Sequence, residues 1–499
     1  MLGLAGTEGL TTHMTEAVTA AVPPSRRVRT GTTLSFGVGA IAYGVKDNGF
    51  GTFLLLFYNQ VIGLPAASVG FAIMCALILD AFIDPAIGVA SDRTRTRWGR
   101  RHPWMYASAL PIAIGWLLLW NPPAWSPGAT LAWLFATAVM VRSAVSAYEV
   151  PSQALAPELS ADYDERTRLT AYRYLFGWLG GLVALLAAYT VFLVPETPGA
   201  DGLANRGGYA SYSVACAVAI MLAILISAAG THREIASLPR QPAVEGGMGQ
   251  AFRELVEAVR NRAFAVLMLA GLCVYTNQGI SFALSNYLYS YVWQFGTGAF
   301  TVLAGVLFAG VVIAFAIAGR VGARMGKPRA AAMFTLLTAI LATLPYWLRL
   351  AGWFPAVDSP MMLPVLFGIY VPNTACSVAA MILGASMMAD VVEHSEVTTG
   401  RRSEGVFFAG SFFIQKCTGG VGIFLSGLIL WAADFPQNAV RGAVPVDALD
   451  RLTLIFSIVY LVIGLVGTAV FVRFPFGRAE HEARIARLAA AGAEAKGVL

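Results

Sequence analysis

The chain has 499 residues, 57% of them hydrophobic and only 12% charged, with a mean hydropathy of +0.66. A soluble domain carries about twice that charged fraction, so an ordinary soluble fold is excluded and an all-α polytopic membrane protein is indicated. The net charge of +6 does not imply a nucleic-acid partner, because the arginines fall in short alternate connections rather than on one basic face.

No apolar core of signal-peptide length precedes Arg26, Arg27 and Arg29, so residues 1–32 are expected to be an uncleaved cytoplasmic tail. Apolar stretches of about 20 residues, enough to cross a bilayer, occur near 33–58, 66–91, 104–123, 129–158, 170–194, 209–231, 263–292, 299–323, 330–350, 361–390, 404–433 and 452–474. That is 12 transmembrane helices. The connections after the second, fourth, sixth, eighth and tenth spans are rich in Arg, and those after the first, third and seventh hold neither Lys nor Arg. Basic loops stay inside, which places both termini in the cytoplasm. The scarcity of Lys beside Arg suggests a GC-rich bacterial gene and hence the bacterial inner membrane.

Span 1 carries Lys46, Asp47 and Asn48 between Tyr43 and Phe50. At 1.5 Å per residue, Asp47 lies roughly 20 Å along the helix, near the midplane. Lys46 and Asp47 point about 100° apart and are expected to find other partners. Span 2 holds Asp80 and Asp84, one turn apart on one face. A carboxylate in hydrocarbon costs a few kcal/mol or more (about 2.5–3.5 on the milder scales), so such residues mark ion or substrate pathways unless a neighbouring basic residue merely neutralises them. Pro85 follows and frees a carbonyl one turn earlier, an added oxygen for a cation. The connection after span 2 contains Arg93, Arg95, Arg97, Arg100 and Arg101.

Span 4 holds Arg142 and Glu149, seven apart on one face, for which a structural pair is expected. Pro151 and Pro157 follow Glu149, predicting a kinked helix along a cavity. The turn after it mixes Asp162, Asp164 and Glu165 with Arg166 and Arg168, and a counterpart after span 10 mixes Asp390, Glu393, Glu396, Arg401, Arg402 and Glu404. Either these are solvated loop charges or they form ion-pair clusters that lock the inner side; pairs worth about 0–1 kcal/mol each make a reversible latch. Arg173 opens span 5 among Tyr172, Tyr174 and Trp178, a set able to bind hydroxyls and cover a sugar ring. Span 7 adds Tyr275, Thr276, Asn277, Gln278 and Asn286, and span 10 adds Tyr370, Asn373, Thr374 and Ser377, either for a ligand or for bonds between helices. Lys416 lies roughly 18 Å into span 11, again near the middle.

Residues 232–262, with Pro239, Pro242 and a Gly-Gly pair, read as a cytoplasmic linker between two six-helix pseudo-symmetric halves, 33–231 and 263–474; 475–499 is a cytoplasmic tail. Twofold repetition of six spans is the plan of a transporter that rocks about a midplane site. Four acids at membrane depth (Asp47, Asp80, Asp84 and Glu149) face three bases (Lys46, Arg142 and Lys416), so one negative charge is expected to be left over for a coupling cation. The five cysteines lie in apolar segments without metal spacing, the histidines are scattered and no nucleotide-binding glycine loop occurs, so neither a metal, a cofactor nor an enzyme is expected.

Seven segments together, KDNG (46–49), DAFIDPAIG (80–88), RTRWGRRHPW (95–104), YEVPSQALAPEL (148–159), DERTRLTAYR (164–173), ADVVEHSE (389–396) and the lysine of QKCTGG, resemble the glycoside-pentoside-hexuronide:cation symporters of the major facilitator superfamily, the group that includes melibiose permease. The resemblance implies a major facilitator fold and sodium- or proton-coupled symport of a sugar or glycoside, with lipid and a small solute as the partners of a monomer. It implies a cation site of Asp80, Asp84 and Ser146, a substrate site of Asp47, Glu149 and Arg173, and coupling through Lys46 and Lys416. A cytoplasmic gate is expected to comprise Arg97, Arg100, Arg101, Asp164, Glu165, Arg166, Asp390, Glu393 and Glu396. Gln153 stands in the substrate site where the melibiose-type pattern has an aromatic, which departs from a galactoside preference. A major facilitator carrier of a lysolipid or another amphipathic solute is the alternative, marked by a lateral apolar opening between the halves.

Overall fold

The computed structural model describes residues 28–160, 162–196, 201–235, 253, 259–399 and 404–475. The linker and tails expected from the sequence lie mostly outside these residues. The first span, α1, is broken at Gly39 and Ala40 into Thr30–Val38 and Ile41–Asn48, and then continues through π-helical turns Gly49–Phe53 and Phe57–Val61. The other spans are α2 (Ala66–Arg93), α3 (His102–Trp120), α4 (Pro127–Leu159), α5 (Tyr163–Ala187), α6 (Arg206–His232), α7 (Arg262–Tyr287), α8 (Thr297–Met325), α9 (Lys327–Leu350), α10 (Met362–Thr399), α11 (Glu404–Ala432) and α12 (Val446–Val472). Among the described residues, eleven helices are long and apolar enough to cross a membrane; the broken α1 is the remaining span.

Three boundaries differ from the sequence reading, the simplest being α12, which begins at Val446 rather than near 452. The acidic stretch before span 5 is not a turn but the first turn of α5: the Asp162 side chain accepts the Glu165 N–H at 2.9 Å and caps the helix, as an Asp-x-x-Glu sequence permits. Likewise α10 runs on to Thr399, so Asp390 and Glu393 lie on a helix rather than in a loop.

The repeat is visible in the packing. In the first half α1 packs on α5 and α6, α2 on α4, and α3 on α4 and α6; in the second half α7 packs on α11 and α12, α8 on α10, and α9 on α10 and α12. Each pair therefore recurs six spans later. The α1–α5 crossing depends on Gly44, where a Cβ would collide with the Gly177 carbonyl, and the matching α7–α11 crossing on Gly279, where it would come 2.6 Å from the Gly419 carbonyl. Such close backbone approach needs small residues.

At the arginine-poor end, π-helical turns follow α5 (Ala188–Phe192) and α7 (Leu288–Val292) as they do within α1, and they meet in a seal between the halves. Asn286 accepts the Tyr189 hydroxyl at 2.6 Å and donates to the Thr52 carbonyl at 3.1 Å. The Tyr287 hydroxyl donates to Asn59 at 2.9 Å, and Gln60 takes the Ala439 N–H at 2.8 Å while donating to the Pro436 carbonyl at 3.0 Å. Tyr189 stacks on Phe300 at 4.4 Å between ring centres. Rings and amides thus close this end of the molecule.

Candidate functional site

Below the seal, α2, α4 and α11 bring four charged side chains together. The Asp80 side chain is fully buried. Its Oδ2 accepts Arg142 Nε at 2.9 Å and a second guanidinium N–H at 2.6 Å, and lies 2.9 Å from Lys416 Nζ. Its Oδ1 accepts the Ser146 hydroxyl at 2.9 Å. Asp84, one turn further along α2, accepts Lys416 Nζ on Oδ2 at 2.5 Å, while its Oδ1 is buried with no partner among the described residues. Lys416 therefore ties the second half of the molecule to both acids of the first.

This geometry corrects one expectation. Arg142 does not pair with Glu149; its guanidinium reaches across to α2, lying 5.5 Å over the Phe50 ring on the way. With Lys416 as the second counter-charge, two carboxylates meet two cations. Residue counting missed this because a face shared along one helix says nothing about which neighbouring helix lies closer.

A second group lies around α1, α4 and α5. Lys46 is buried, with Nζ 3.8 Å from Asp47 Oδ1 and 4.3 Å over the Tyr43 ring. The two neighbours thus approach each other, contrary to the expectation from their angular separation, although at the long limit of an ion pair. The Asp47 side chain is 48% exposed, and a half-exposed carboxylate at mid-span requires an aqueous cavity. Glu149 accepts Gln153 Nε2 at 2.9 Å, on an open face of α4. Arg173 donates to the Ser152 hydroxyl at 2.7 Å and lies 5.4 Å over the Phe36 ring. Acceptors, donors and rings thus occur together on α1, α4 and α5, the side-chain types that a polyhydroxylated solute needs.

For the residues expected to gate the arginine-rich end, the following bonds lie within one half. Arg101 contacts Asp92 at 2.5 Å and Glu158 at 3.1 Å, and Arg100 contacts Glu158 at 2.6 Å. Arg166 donates to the Ser160 carbonyl at 2.7 Å, and Glu165 lies 3.3 Å from Arg168. Asp390 takes Lys327 at 2.7 Å; Glu393 is exposed, and Arg97 lies 5.5 Å over the Trp98 ring. The side chains of Asp164 and Glu396 lie outside the described residues. Sequence reasoning did not single out Asp92, Glu158 or Lys327; the acid of APEL and the lysine of MGKP were its available signals. Of the neutral polar residues, Asn277 donates to the Tyr460 carbonyl at 3.0 Å and Asn286 builds the seal, both of them bonds between helices.

Residues 35–478 match the family model described as MFS/sugar transport protein. The isoprimeverose transporter of Lactiplantibacillus pentosus is 26% identical over 88% of this chain and 88% of its own length. The glucuronide carrier protein homolog of Escherichia coli is also 26% identical, over 82% of this chain and 85% of its own. Among solved structures, the inward-open conformation of the xylose transporter XylE from E. coli superposes with a TM-score of 0.59, covering 89% of this chain and 96% of that one, at 12% identity.

Proposed function

The chain belongs to the MFS/sugar transport protein family, among its glycoside-type symporters, and from that premise we propose that it is a secondary transporter that couples uptake of a sugar or glycoside to a cation gradient by alternating access. The observation that carries the reading is the position of Lys416: from the second half of the molecule it reaches both Asp80 and Asp84 in the first. Any change in the charge of the aspartate pair alters a bond between the two halves. Occupancy of the site and the relative position of the halves are then one equilibrium, which is what coupling requires.

The substrate side of the proposal rests on Asp47, Glu149, Gln153 and Arg173. The acids accept hydroxyl protons, Gln153 and Arg173 donate to ring and hydroxyl oxygens, and Tyr43 offers a ring face. Gln153, hydrogen-bonded to Glu149, substitutes polar recognition for stacking, which suits a substrate rich in oxygen better than an amphipathic lipid. Taking the basic connections as cytoplasmic, we read the seal as the closed external end and the molecule as inward-facing.

The test is a panel of radiolabelled glycosides, glucuronides and xylosides in proteoliposomes under an imposed sodium or proton gradient. Accumulation of one of them above equilibrium is expected; equilibration of every substrate at the same rate with and without a gradient would remove the coupling.

A further inference from the structure

The cation site that the family resemblance implies does not fit a sodium ion in this chain. Sodium needs a cage of oxygen lone pairs free to turn toward it, and both oxygens of Asp80 are already engaged. Oδ2 receives two N–H groups of Arg142 and the ammonium of Lys416, and Oδ1 receives the Ser146 hydroxyl. Asp84 Oδ2 receives Lys416. Among the described groups of this cluster, Asp84 Oδ1 alone is a carboxylate oxygen with no partner, too few for a cage. Lys416 has a flexible stem and three rotatable donors, and can swing from one acid to another. Arg142 is different: a guanidinium does not deprotonate in proteins, its two-pronged contact fixes its orientation, and it is 4% exposed against the Phe50 ring.

We infer that Arg142 is the resident cation of the Asp80 site and that it excludes sodium, so that a sodium gradient does not drive this transporter. The inference rests on the reading of the chain as a cation-coupled symporter and narrows its ion. The groups facing the site are Asp80 and Asp84 from α2, Arg142 and Ser146 from α4, Lys416 from α11, and Lys46 and Asp47 from α1. Two positive side chains on α4 and α11 answer two negative ones on α2, and a monovalent metal ion would enter against both positive ones without a free carboxylate to meet it. Removing the guanidinium reverses this: Asp80 regains lone pairs beside Asp84 Oδ1 and the Ser146 hydroxyl, and the cluster acquires a net negative charge.

The experiment reads sodium binding apart from transport. The melting midpoint of the purified full-length protein is followed as sodium chloride replaces choline chloride at constant ionic strength. No sodium-specific rise is expected for the unmutated protein, and a saturable rise is expected for Arg142→Ala; adding Asp80→Asn to that variant should abolish it. A saturable rise in the unmutated protein would overturn the inference, and so would a folded Arg142→Ala protein with no rise. Arg142→Met, similar in length and without a donor toward Asp80, serves with the same expectation if Arg142→Ala does not fold, and the titration of the unmutated protein decides sodium exclusion in either case. In proteoliposomes, accumulation driven by sodium would overturn the inference and leave symport standing. Accumulation under neither a sodium nor a proton gradient would instead remove the coupling itself, while the melting titration still judges Arg142.

Discussion

Replacing Lys416 by Met leaves the length of the side chain and removes its charge, and the structure sets the consequence. Lys416 Nζ lies 2.5 Å from Asp84 and 2.9 Å from Asp80, so the variant faces two carboxylates with Arg142 alone. Breaking a buried pair by removing one partner costs about 3–5 kcal/mol because the other charge is left uncompensated. The Lys416 and Asp84 side chains are 21% and 26% exposed, and partial access of water reduces the expectation to about 2–3 kcal/mol. The assay is the melting midpoint in detergent. Lys416→Met should melt several degrees below the unmutated protein, and Lys416→Met with Asp84→Asn should recover at least half of the loss, because one carboxylate then answers one guanidinium. A double variant no more stable than the single one would refute the reasoning, for it would mean that the two charges do not share one electrostatic account.

Asp84→Asn alone should abolish accumulation driven by a gradient while leaving substrate binding measurable; vesicles in which it accumulates substrate like the unmutated protein would remove Asp84 from the coupling site. Asp47→Ala and Glu149→Ala should each lower substrate affinity by about fivefold or more, since a lost acceptor leaves ligand hydroxyls unpaired at a cost of about 1–3 kcal/mol, and calorimetry showing unchanged affinity in both would clear them of that role. At Gly427 a Cβ would come 3.0 Å from the Ala66 carbonyl carbon and 3.1 Å from the Ala67 Cα, whereas at Gly419 on the same helix it would meet nothing within 4 Å; overpacking of about 1–3 kcal/mol should make a cysteine at Ser290 in the seal react faster with thiol reagents in Gly427→Ala than in Gly419→Ala, and equal rates would contradict the packing. Asp201, before α6, has its carboxyl raised above the usual range chiefly by burial, against the opposing Leu203 N–H and Arg441. A carboxyl raised in the folded chain contributes stability below its ordinary range and loses it as pH rises through the raised value, so Asp201→Asn should melt higher than the unmutated protein at neutral pH, with the gap closing on acidification; a gap independent of pH would contradict this sign.

Much of this architecture is legible in one dimension, because a bilayer imposes a length and a sidedness on every span. The apolar stretches and the alternation of arginine-rich connections place all twelve spans within a few residues. The exceptions are local: Asp162 begins α5 earlier through a capping bond, α10 continues through an acidic stretch that resembles a turn, and α12 starts six residues early, directly after Pro445. The site is legible in its membership and less so in its pairing. Asp80, Asp84, Ser146 and Lys416 converge as expected, since polar groups in an apolar helix have few places to go. That Arg142 belongs to Asp80 and not to Glu149 depends on how α4 is rotated against α2, which spacing along one helix does not encode. The seal was invisible for a similar reason: Asn59, Gln60 and Asn286 look like ordinary polar residues near span ends until the π-helical turns bring them into register.

The repeat also explains why the charged cluster sits where it does. Twofold symmetry offers two equivalent crossings between the halves, α2 with α11 and α5 with α8. In this structure they are not equivalent. The α2–α11 crossing is close along its length, with Gly70, Gly420 and Gly427 at backbone contacts, Phe82 against Phe413 at 5.1 Å, and Lys416 on both aspartates, whereas α8 meets α5 near the arginine-poor end, where Tyr189 stacks on Phe300. Rocking of the halves loosens each crossing at one end of the molecule as it tightens it at the other. A group that biases the motion must therefore lie on a crossing and change its bond strength with occupancy, and Lys416 between Asp80 and Asp84 meets both conditions. Arg142 sharpens the effect. On the transport reading proposed above, the Arg142 contact holds Asp80 within the first half and leaves Asp84 as the partner whose loss most weakens the hold of Lys416, so that one carboxylate rather than two governs whether α2 and α11 stay together.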